Sequence, residues 1–222
     1  MTIRTIIKNL KRINLKTIIF NFKHFDFKTA VKLPVLIHRK TKIDTKGGII
    51  TLPDNIRHGM VRFGYGGAIF DLKDKRSLIQ VKGNLIFRGS ASFGNGTTIS
   101  ISKIGRLVVG DKFSAGSCCK LLSRKHITFE SNCLLSWGVT VMDTDFHYIL
   151  NDSNNVINPD SSVLICNNVW IGCNSTILKG VHISKGSIVA AGSVISKTED
   201  KSNVIIGSNS QRVIKEGINW RA

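Results

Sequence analysis

The sequence lacks several features that would place the protein in common functional classes. No apolar run approaches the roughly 18 residues that a membrane-spanning helix requires, and the N-terminus has no continuous apolar segment of the kind found in secretory signals. The five cysteines, Cys118, Cys119, Cys133, Cys166 and Cys173, are odd in number and have no C-x-x-C spacing. Neither a disulfide framework nor a zinc site is therefore indicated, and we expect a protein of the reducing cytoplasm.

Acidic residues are also few. Asp and Glu number 14 against 32 Lys and Arg, which gives a formal net charge of +18. Residues 1–46 alone contain 12 Lys and Arg against only Asp26 and Asp44. A basic face can attract anionic lipid headgroups, nucleic acid or a phosphorylated substrate. A basic surface that is simply solvated is equally compatible with the count.

Proline is scarce as well, with three residues among 222, whereas glycine contributes 20 and hydrophobic residues make up 42%. This composition is typical of a compact, β-rich protein. The length allows one domain with a substantial core and a short appendage.

The most regular stretch is residues 165–195, where an aliphatic side chain returns at every sixth position. These positions are Ile165, Ile171, Ile177, Ile183, Val189 and Ile195. Neither an α-helix nor an ordinary strand has a period of six. The pattern predicts a hexapeptide β-helix, in which three hexapeptides form a triangular coil of about 18 residues and coils stack about 4.8 Å apart.

A looser version of the repeat precedes this stretch. It begins near Leu85 and Ala91 and then sharpens, with six-residue spacing over Val109, Ala115, Leu121, Ile127, Cys133 and Val139. Between residues 147 and 160 the period fails in a polar, turn-rich segment, and it resumes near Val163. We therefore predict a loop that leaves the β-helix.

The segment NNVWIGCNSTILKGVHISKGSIVAAGSVISK, residues 167–197, resembles the left-handed parallel β-helix acyltransferases of the hexapeptide-repeat superfamily, and most closely the O-acetyltransferases that modify sugars and surface polysaccharides. The resemblance implies an all-β, left-handed β-helix. Along the chain we expect a basic N-terminal helix and strand-rich cap over residues 1–84, the β-helix over 85–197 with a loop at 145–162, and a C-terminal extension over 198–222.

Two N-terminal segments have their own patterns. Residues 1–14 place Ile3, Ile6, Ile7, Leu10 and Ile13 on one helical stripe among basic residues. This predicts a short amphipathic helix, which could contact a membrane surface or pack on the β-helix or a neighbouring subunit. Residues 15–50 alternate apolar and polar side chains and predict short strands and turns.

The predicted loop begins with Asp143, Thr144, Asp145, Phe146 and His147. A histidine held at the edge of a rigid coil can take the proton from a sugar hydroxyl, a poor nucleophile at neutral pH. In the acetyltransferases that this chain resembles, a histidine in a D-x-D-F-H context is the catalytic base, and it corresponds to His147. Asp145 or Asp143 could orient the imidazole or cap the turn that leaves the coil.

The resemblance also implies that acetyl-CoA lies in a groove between neighbouring coils. The corresponding residues here are Trp170, Gly172, Cys173, Ala191, Ser196 and Lys197, with Arg212 and Lys215 meeting the phosphates. Trp170 could instead be corner packing, and Cys173 is better interpreted as a small packing residue than as an acyl carrier. No metal is expected.

The resemblance therefore predicts an acetyl-CoA-dependent O-acetyltransferase that acts on a sugar hydroxyl of a surface glycan, of capsule or lipopolysaccharide type. Such enzymes assemble as trimers, so a homotrimer is expected, in the cytoplasm or at the inner membrane face and without a nucleic-acid partner. The alternatives are a sugar-nucleotide N-acetyltransferase, an acetyltransferase that inactivates antibiotics or other xenobiotics, and a non-catalytic basic β-helix that serves as a binding scaffold.

Overall fold

The computed structural model describes residues 12–66, 75–207 and 212–220. Two short helical segments come first, α1 (Leu15–His24) and α2 (Phe27–Ala30). The rest of the described chain forms short strands that fall into three sheets. Strands of successive coils pair in parallel, and only the last strand of the first sheet pairs antiparallel within the described residues. The result is a prism with three flat sides.

Sheet 1 contains nine strands: β1 (Val35–Ile37), β4 (Val61–Phe63), β7 (Ala91–Phe93), β10 (Phe113–Ala115), β13 (Leu134–Leu135), β16 (Trp170–Ile171), β19 (Ile188–Val189), β21 (Ile205–Gly207) and β22 (Arg212–Lys215). Sheet 2 contains seven: β2 (Lys42–Asp44), β5 (Leu78–Val81), β8 (Thr98–Ile101), β11 (Lys120–Ser123), β14 (Thr140–Met142), β17 (Thr176–Ile177) and β20 (Val194–Ile195). Sheet 3 contains six: β3 (Ile49–Thr51), β6 (Asn84–Phe87), β9 (Arg106–Val109), β12 (His126–Phe129), β15 (Val163–Ile165) and β18 (His182–Ile183).

The coils become narrower along the chain. Leu85 pairs with Leu107, 22 residues later, and Leu107 pairs with Ile127, 20 residues later. Ile165 pairs with Ile183, 18 residues later, as the hexapeptide period predicts. The wider coils enclose larger side chains, including Phe93, Phe113 and Phe129, whereas the aliphatic residues of the hexapeptide stretch fill the narrower coils. Side-chain volume therefore follows coil width, as dense packing requires.

The phenylalanines of the wide coils stack along the axis of the prism. The ring centroids of Phe63 and Phe93 lie 5.1 Å apart, those of Phe93 and Phe113 5.4 Å apart, and those of Phe113 and Phe129 4.9 Å apart. All four side chains are buried. Tilted contacts at these distances are favourable for aromatic pairs.

Helix α1 covers the open edge of sheet 1 with polar side chains. Thr17 Oγ1 accepts a hydrogen bond from the Ile37 amide (2.9 Å) and is 3.2 Å from the Ile37 carbonyl oxygen. Asn21 accepts from the Val35 amide through Oδ1 (3.1 Å) and donates to the Val35 carbonyl through Nδ2 (2.7 Å). Because a bare strand edge exposes unpaired backbone groups, these two buried side chains replace the neighbouring strand that β1 lacks.

The structure corrects two expectations about the N-terminal region. Residues 15–50 were predicted as strands and turns, but residues 15–24 are helical because Asn14 caps the first turn, its side chain accepting from the amides of Lys16 and Thr17. The β-helix was predicted from residue 85, but coils are already stacked from Val35. The predicted helix at residues 1–14 lies almost entirely outside the described residues.

We predict that Asn21→Leu lowers the free energy of unfolding by about 2–4 kcal/mol, because the Val35 amide and carbonyl lose their partners in a buried place. Urea denaturation at one fixed protein concentration measures this change. The control is Phe22→Leu, at the neighbouring exposed position. Equal stability of the two variants would show that water can replace the Asn21 contacts.

Candidate active site

The predicted loop leaves the prism at the corner between sheets 2 and 3, after β14, and re-enters at β15. The Ser161 amide donates to the Asp143 carbonyl (3.0 Å), which ties the end of the loop to its beginning. Leu150 and Val156 form an antiparallel bridge, and the Ile157 amide donates to the Ile149 carbonyl (2.9 Å). The loop is therefore a short hairpin on a closed base.

Asp143 anchors the start of this loop. It is fully buried, and its carboxylate accepts from Ser123 Oγ (2.8 Å) and from the amides of Arg124 (2.7 Å) and Lys125 (3.0 Å). These contacts join the loop to the corner of the preceding coil. Of the two roles considered for Asp143, they favour the capping role, because both oxygens are engaged by the coil rather than by the imidazole of His147.

Asp145 also has partners other than the imidazole. Its Oδ2 lies 2.6 Å from Lys179 Nζ and accepts from Asn158 Nδ2 (2.9 Å). The hydrogen bond from Lys179, followed by the one from Asn158, holds the pKa of the Asp145 carboxyl below its usual value. The carboxylate is therefore ionised at neutral pH. Among the described residues, no hydrogen bond joins the Asp145 carboxylate to the His147 imidazole. The structure therefore gives no support to the expected role of Asp145 in orienting this ring.

Asn158 completes what we call the loop clasp, formed by Asp145, Asn158 and Lys179. Its Nδ2 also donates to the His147 carbonyl (2.9 Å), and its Oδ1 accepts from the Ile149 amide (2.6 Å). Lys179 Nζ donates to the Asn158 carbonyl (2.7 Å). One amide side chain thus fixes the backbone at His147 and Ile149 and also binds the side chain of Asp145.

The side chain of His147 itself is exposed, and within the described residues its ring nitrogens have no protein partner. The preceding Phe146 has φ of 62°, a left-handed conformation unusual for a bulky residue. On the other side of His147, Arg124 Nη2 donates a hydrogen bond to the Tyr148 hydroxyl (3.1 Å). His147 is therefore an unpartnered imidazole on a firmly held backbone.

The residues implied for acetyl-CoA are split between different parts of the prism. Gly172, Cys173 and Ala191 lie at the corner between sheets 1 and 2, whereas Ser196 and Lys197 follow β20 at the corner between sheets 2 and 3, the corner that also carries His147. Arg212 and Lys215 are exposed on β22, which pairs antiparallel with β21 at the end of sheet 1. Within one chain, sheet 2 separates His147 from the Gly172 corner.

Stacking of the coils explains why Gly172 must be small. A Cβ atom at this position would lie 2.6 Å from the Ala191 nitrogen and 2.7 Å from the Val189 oxygen. The next coil therefore passes directly against the Gly172 backbone. Cys173 is a partly exposed free thiol at this corner.

Trp170 has the packing contacts that formed its alternative interpretation. Its Nε1 donates to Ser136 Oγ (3.0 Å), and its ring centroid lies 6.1 Å from that of Trp220. Trp220 in turn donates from Nε1 to the Asn168 carbonyl (2.7 Å). Trp170 thus binds the C-terminal segment to sheet 1 while remaining partly exposed.

An open groove of about 350 Å³ leads along the same edge towards Gly172. Small residues form its floor and two aromatic residues lie at its ends: Tyr65, Ser92, Gly94, Gly116, Ser136 and Trp137. Leu135, which also lines the groove, pairs with Ile171, so the groove ends one coil before Gly172. Its half-buried serine hydroxyls and small side chains leave room for a ligand beside the backbone.

A thiol, an imidazole and a carboxylate lie next to one another along sheet 3, and the sequence did not predict this arrangement. Cys166 Sγ lies 3.3 Å from His182 Nε2, and His182 Nδ1 lies 3.4 Å from Asp200 Oδ1. Burial, followed by the nearby Glu130, raises the pKa of the Cys166 thiol. The thiol is therefore protonated at neutral pH and is not an activated nucleophile. Residues 166 and 182 become neighbours only because two coils stack.

Metal and membrane features of the described residues are limited. Within residues 12–66, 75–207 and 212–220, His, Cys, Asp and Glu side chains form no group of three or more suited to a metal ion. No helix in this part of the chain has the length and apolar character needed to span a bilayer.

Comparison with known proteins identifies the repeat. Residues 162–197 match the family model described as bacterial transferase hexapeptide (six repeats). The crystal structure of the polySia specific acetyltransferase NeuO aligns over 82% of this chain and 82% of that chain, with a TM-score of 0.57 and 22% sequence identity. Residues 162–197 therefore carry hexapeptide repeats of the bacterial transferase type. The fold is a left-handed parallel β-helix, with the coils that the spacing predicted and the handedness that the resemblance implied.

Curated relatives of this hexapeptide-repeat protein match over shorter stretches. A Schizosaccharomyces pombe protein with a provisional acetyltransferase name is 30% identical over 106 residues, which cover 48% of this chain and 51% of that protein. The 2,3,4,5-tetrahydropyridine-2,6-dicarboxylate N-acetyltransferase of Staphylococcus aureus is 41% identical over 63 residues, 28% of this chain and 26% of the enzyme. The chain thus spans about half the length of the first relative and about a quarter of the second.

We predict that Lys179→Met loosens the loop of this hexapeptide-repeat protein without unfolding the coils, because Asp145 and the Asn158 carbonyl lose their common partner. Hydrogen exchange should become at least about fivefold faster at the amides of residues 146–157 and stay unchanged in β15 and β17. Lys185→Met, at an exposed lysine of a later coil, is the control. Unchanged exchange in the loop would mean that Asn158 and the hairpin hold it without Lys179.

Proposed function

We propose that the protein is an acetyl-CoA-dependent acetyltransferase that acetylates a hydroxyl group of a saccharide, with His147 as the general base. The single observation that carries this proposal is the loop clasp, which holds the backbone around an unpartnered imidazole at the edge of a hexapeptide β-helix. The curated relatives named above, which are acetyltransferases by name, support the reaction class.

In the proposed reaction the His147 imidazole takes the proton of the acceptor hydroxyl as the oxygen attacks the thioester carbonyl carbon. The C–S bond of the resulting tetrahedral intermediate then breaks, and the imidazolium returns its proton to the departing CoA sulfur. The Gly172 amide already donates to the Val189 carbonyl (2.8 Å), so the backbone amide of Ala191 at the same corner is the one that would stabilise the oxyanion. The donor supplies the acetyl group, and no redox step is needed.

The residues at the corner between sheets 1 and 2 fit the pantetheine arm of the donor. Gly172 lets the next coil stack closely, and the small, exposed Ala191 on that coil leaves its own backbone accessible to the arm. Trp170 and Cys173 border this position. Beyond the corner, the exposed side chains of Arg212 and Lys215 are suited to the phosphates of CoA, and Ser196 and Lys197 lie on the edge that carries His147.

The separation of the two edges leads us to propose a homotrimer. His147 and the Gly172 corner lie at opposite edges of sheet 2 in one chain. A site that needs both therefore requires two chains, with the loop of one subunit facing the groove of the next. Exposed apolar side chains of the loop hairpin, including Ile149 (56%) and Ile157 (58%), suit such a contact.

The acceptor is the least constrained part of the proposal. NeuO is by name an acetyltransferase specific for polySia, whereas the Staphylococcus aureus relative is an N-acetyltransferase by name. We favour a surface-glycan hydroxyl, because the groove between Tyr65 and Trp137 is open and carries several serine hydroxyls. We expect the reaction to take place in the cytoplasm or at the inner membrane face. An amino-sugar acceptor is the second candidate. A panel of oligosaccharides and nucleotide-linked amino sugars, assayed for CoA release, separates them.

We predict that His147→Gln lowers the rate of CoA release by at least about 100-fold, because the acceptor hydroxyl then has no base. The KM for acetyl-CoA and the melting temperature should change little. His126→Gln, on the outer face of a coil, is the control and should retain nearly full activity. Comparable activity of the two variants would remove His147 from the reaction.

We also predict that two inactive variants restore activity when they are co-expressed. His147→Gln lacks the base and Ala191→Trp blocks the proposed groove. A random mixed trimer leaves about one interface in four with both parts intact, so activity should return to about a quarter of the wild-type value. No recovery, with mixed trimers verified by mass spectrometry, would place both parts in one chain.

A further inference from the structure

Helix α1 turns its apolar side outward. Thr17 and Asn21 are buried against β1, as described above, whereas Leu15, Ile18, Ile19 and Phe22 are 71%, 40%, 55% and 47% exposed. These four residues have the spacing i, i+3, i+4, i+7 that forms one continuous helical stripe. Phe27 (75%) and Val31 (51%) extend it. We call these six residues the apolar ridge.

The inverted orientation has a physical cause. The unpaired amides and carbonyls of β1 need polar partners, and α1 supplies them from one face. Its other face therefore does not contribute to the core of the prism. Six large apolar side chains exposed together on two adjoining helical segments form a patch that water disfavours.

A basic cavity of about 630 Å³ lies beside the ridge. Among the described residues that line it, five are cationic and none is acidic: Lys16, Arg39, Lys40, Lys42 and Arg76, together with Thr41, Ser77 and Leu78. Lys16 Nζ donates to the Thr41 carbonyl (2.7 Å), which fixes one side of the cavity. We call it the basic pocket.

A second, more apolar groove of about 370 Å³ joins the two features. Lys16 lines both cavities, and Ile19 of the ridge lines the second. Cationic groups and apolar side chains therefore meet at the same end of the prism. Lys23 and Lys28 add further positive charge on the helical segments that carry the ridge.

We propose that this end of the prism docks on an anionic membrane surface. The apolar ridge enters the boundary between headgroups and acyl chains, and the basic pocket holds lipid phosphates beside it. Helix α1 buries Thr17, Phe20 and Asn21 and keeps the apolar ridge and flanking lysines outside. Such a helix is suited to this position, and its binding combines apolar burial with attraction to anionic lipid.

Two other occupants fit less well. A second copy of the chain carries the same net charge of +18, so pairing two such ends would bring like charges together. A small soluble anion would explain the basic pocket but would leave the ridge exposed. Residues 1–11 are basic and apolar themselves, and they are tested separately below.

The proposed trimer would strengthen the binding to a membrane. Cyclic symmetry puts the same end of all three prisms on one side of the assembly, so three ridges could meet one membrane and bind with avidity. This gain in avidity rests on the proposed function. The docking surface itself requires neither catalysis nor a trimer.

The test is co-flotation of the full chain with vesicles of phosphatidylcholine alone or mixed with phosphatidylglycerol. We expect binding to the anionic vesicles, weakened by salt, and little binding to phosphatidylcholine. The double variant Ile18→Ser/Phe22→Ser should lower the partition coefficient by about tenfold or more. Arg39→Ala/Arg76→Ala should lower it by a similar factor on anionic vesicles only.

Matched controls are Ile104→Ser, at an apolar residue that is 78% exposed away from this end, and Lys103→Ala beside it. Failure of the wild-type chain to float with anionic vesicles would overturn the proposal. So would equal flotation of the ridge variant and Ile104→Ser, or loss confined to Ile6→Ser/Ile7→Ser. Displacement by millimolar inorganic phosphate would instead identify a soluble-anion site. CoA release with a soluble saccharide should be unchanged in the ridge variant, which separates this test from that of the acetyltransferase.

Discussion

The structure depends on the stacking of each coil on the next. One coil of this chain has no interior of its own, because its three short strands bury their apolar side only when neighbours lie above and below. Stacking also pairs the backbone, strand after strand in the same register. Both requirements repeat at every coil, so they leave little freedom inside the prism. Chemical groups with other tasks can therefore be placed only at corners, in inserted loops or at the two ends.

The loop after β14 is an inserted loop of this kind. Asp143 is buried like a core residue, yet its carboxylate serves the turn that leads out of the coil. After Asp143 the loop backbone has no neighbouring strand of the prism to pair with in the described part of the chain. The side chains of Asn158 and Lys179 hydrogen-bond to it instead. The histidine between them is thus held by its backbone while its ring stays free. A base that must reach a substrate needs that combination, since a ring fixed by the core could not meet one.

The sequence predicted the parts of the structure that repeat. Six-residue spacing identified the coils after Val163, because one small period repeats there without interruption. It also located the loop, where the spacing fails. The coils between residues 35 and 84 were missed because they have more residues per turn, with Phe63 rather than a short aliphatic side chain in the core. Their period is therefore no longer six.

Contacts between distant residues explain what else could not be predicted. Asn158 and Lys179 are 21 residues apart, and only the closed base of the loop brings them together. The same holds for Cys166 and His182, which meet across stacked coils. Helix α1 was missed for a different reason. Its apolar residues follow a helical period, but they also alternate enough to resemble strands, and only the polar requirement of the β1 edge decides which face is buried.

The two ends of the prism cover the backbone edge of sheet 1 in different ways. At the C-terminal end, β22 pairs antiparallel with β21, so backbone meets backbone, and Trp220 packs on Trp170. At the N-terminal end, side chains of helix α1 hydrogen-bond to the backbone groups of the outermost strand, β1, instead. A strand cap can keep its apolar side chains on the core face. Helix α1 uses Thr17 and Asn21 on its inner face for this task, with Phe20 buried beside them, so its other large apolar side chains are left on the outer face as part of the exposed ridge.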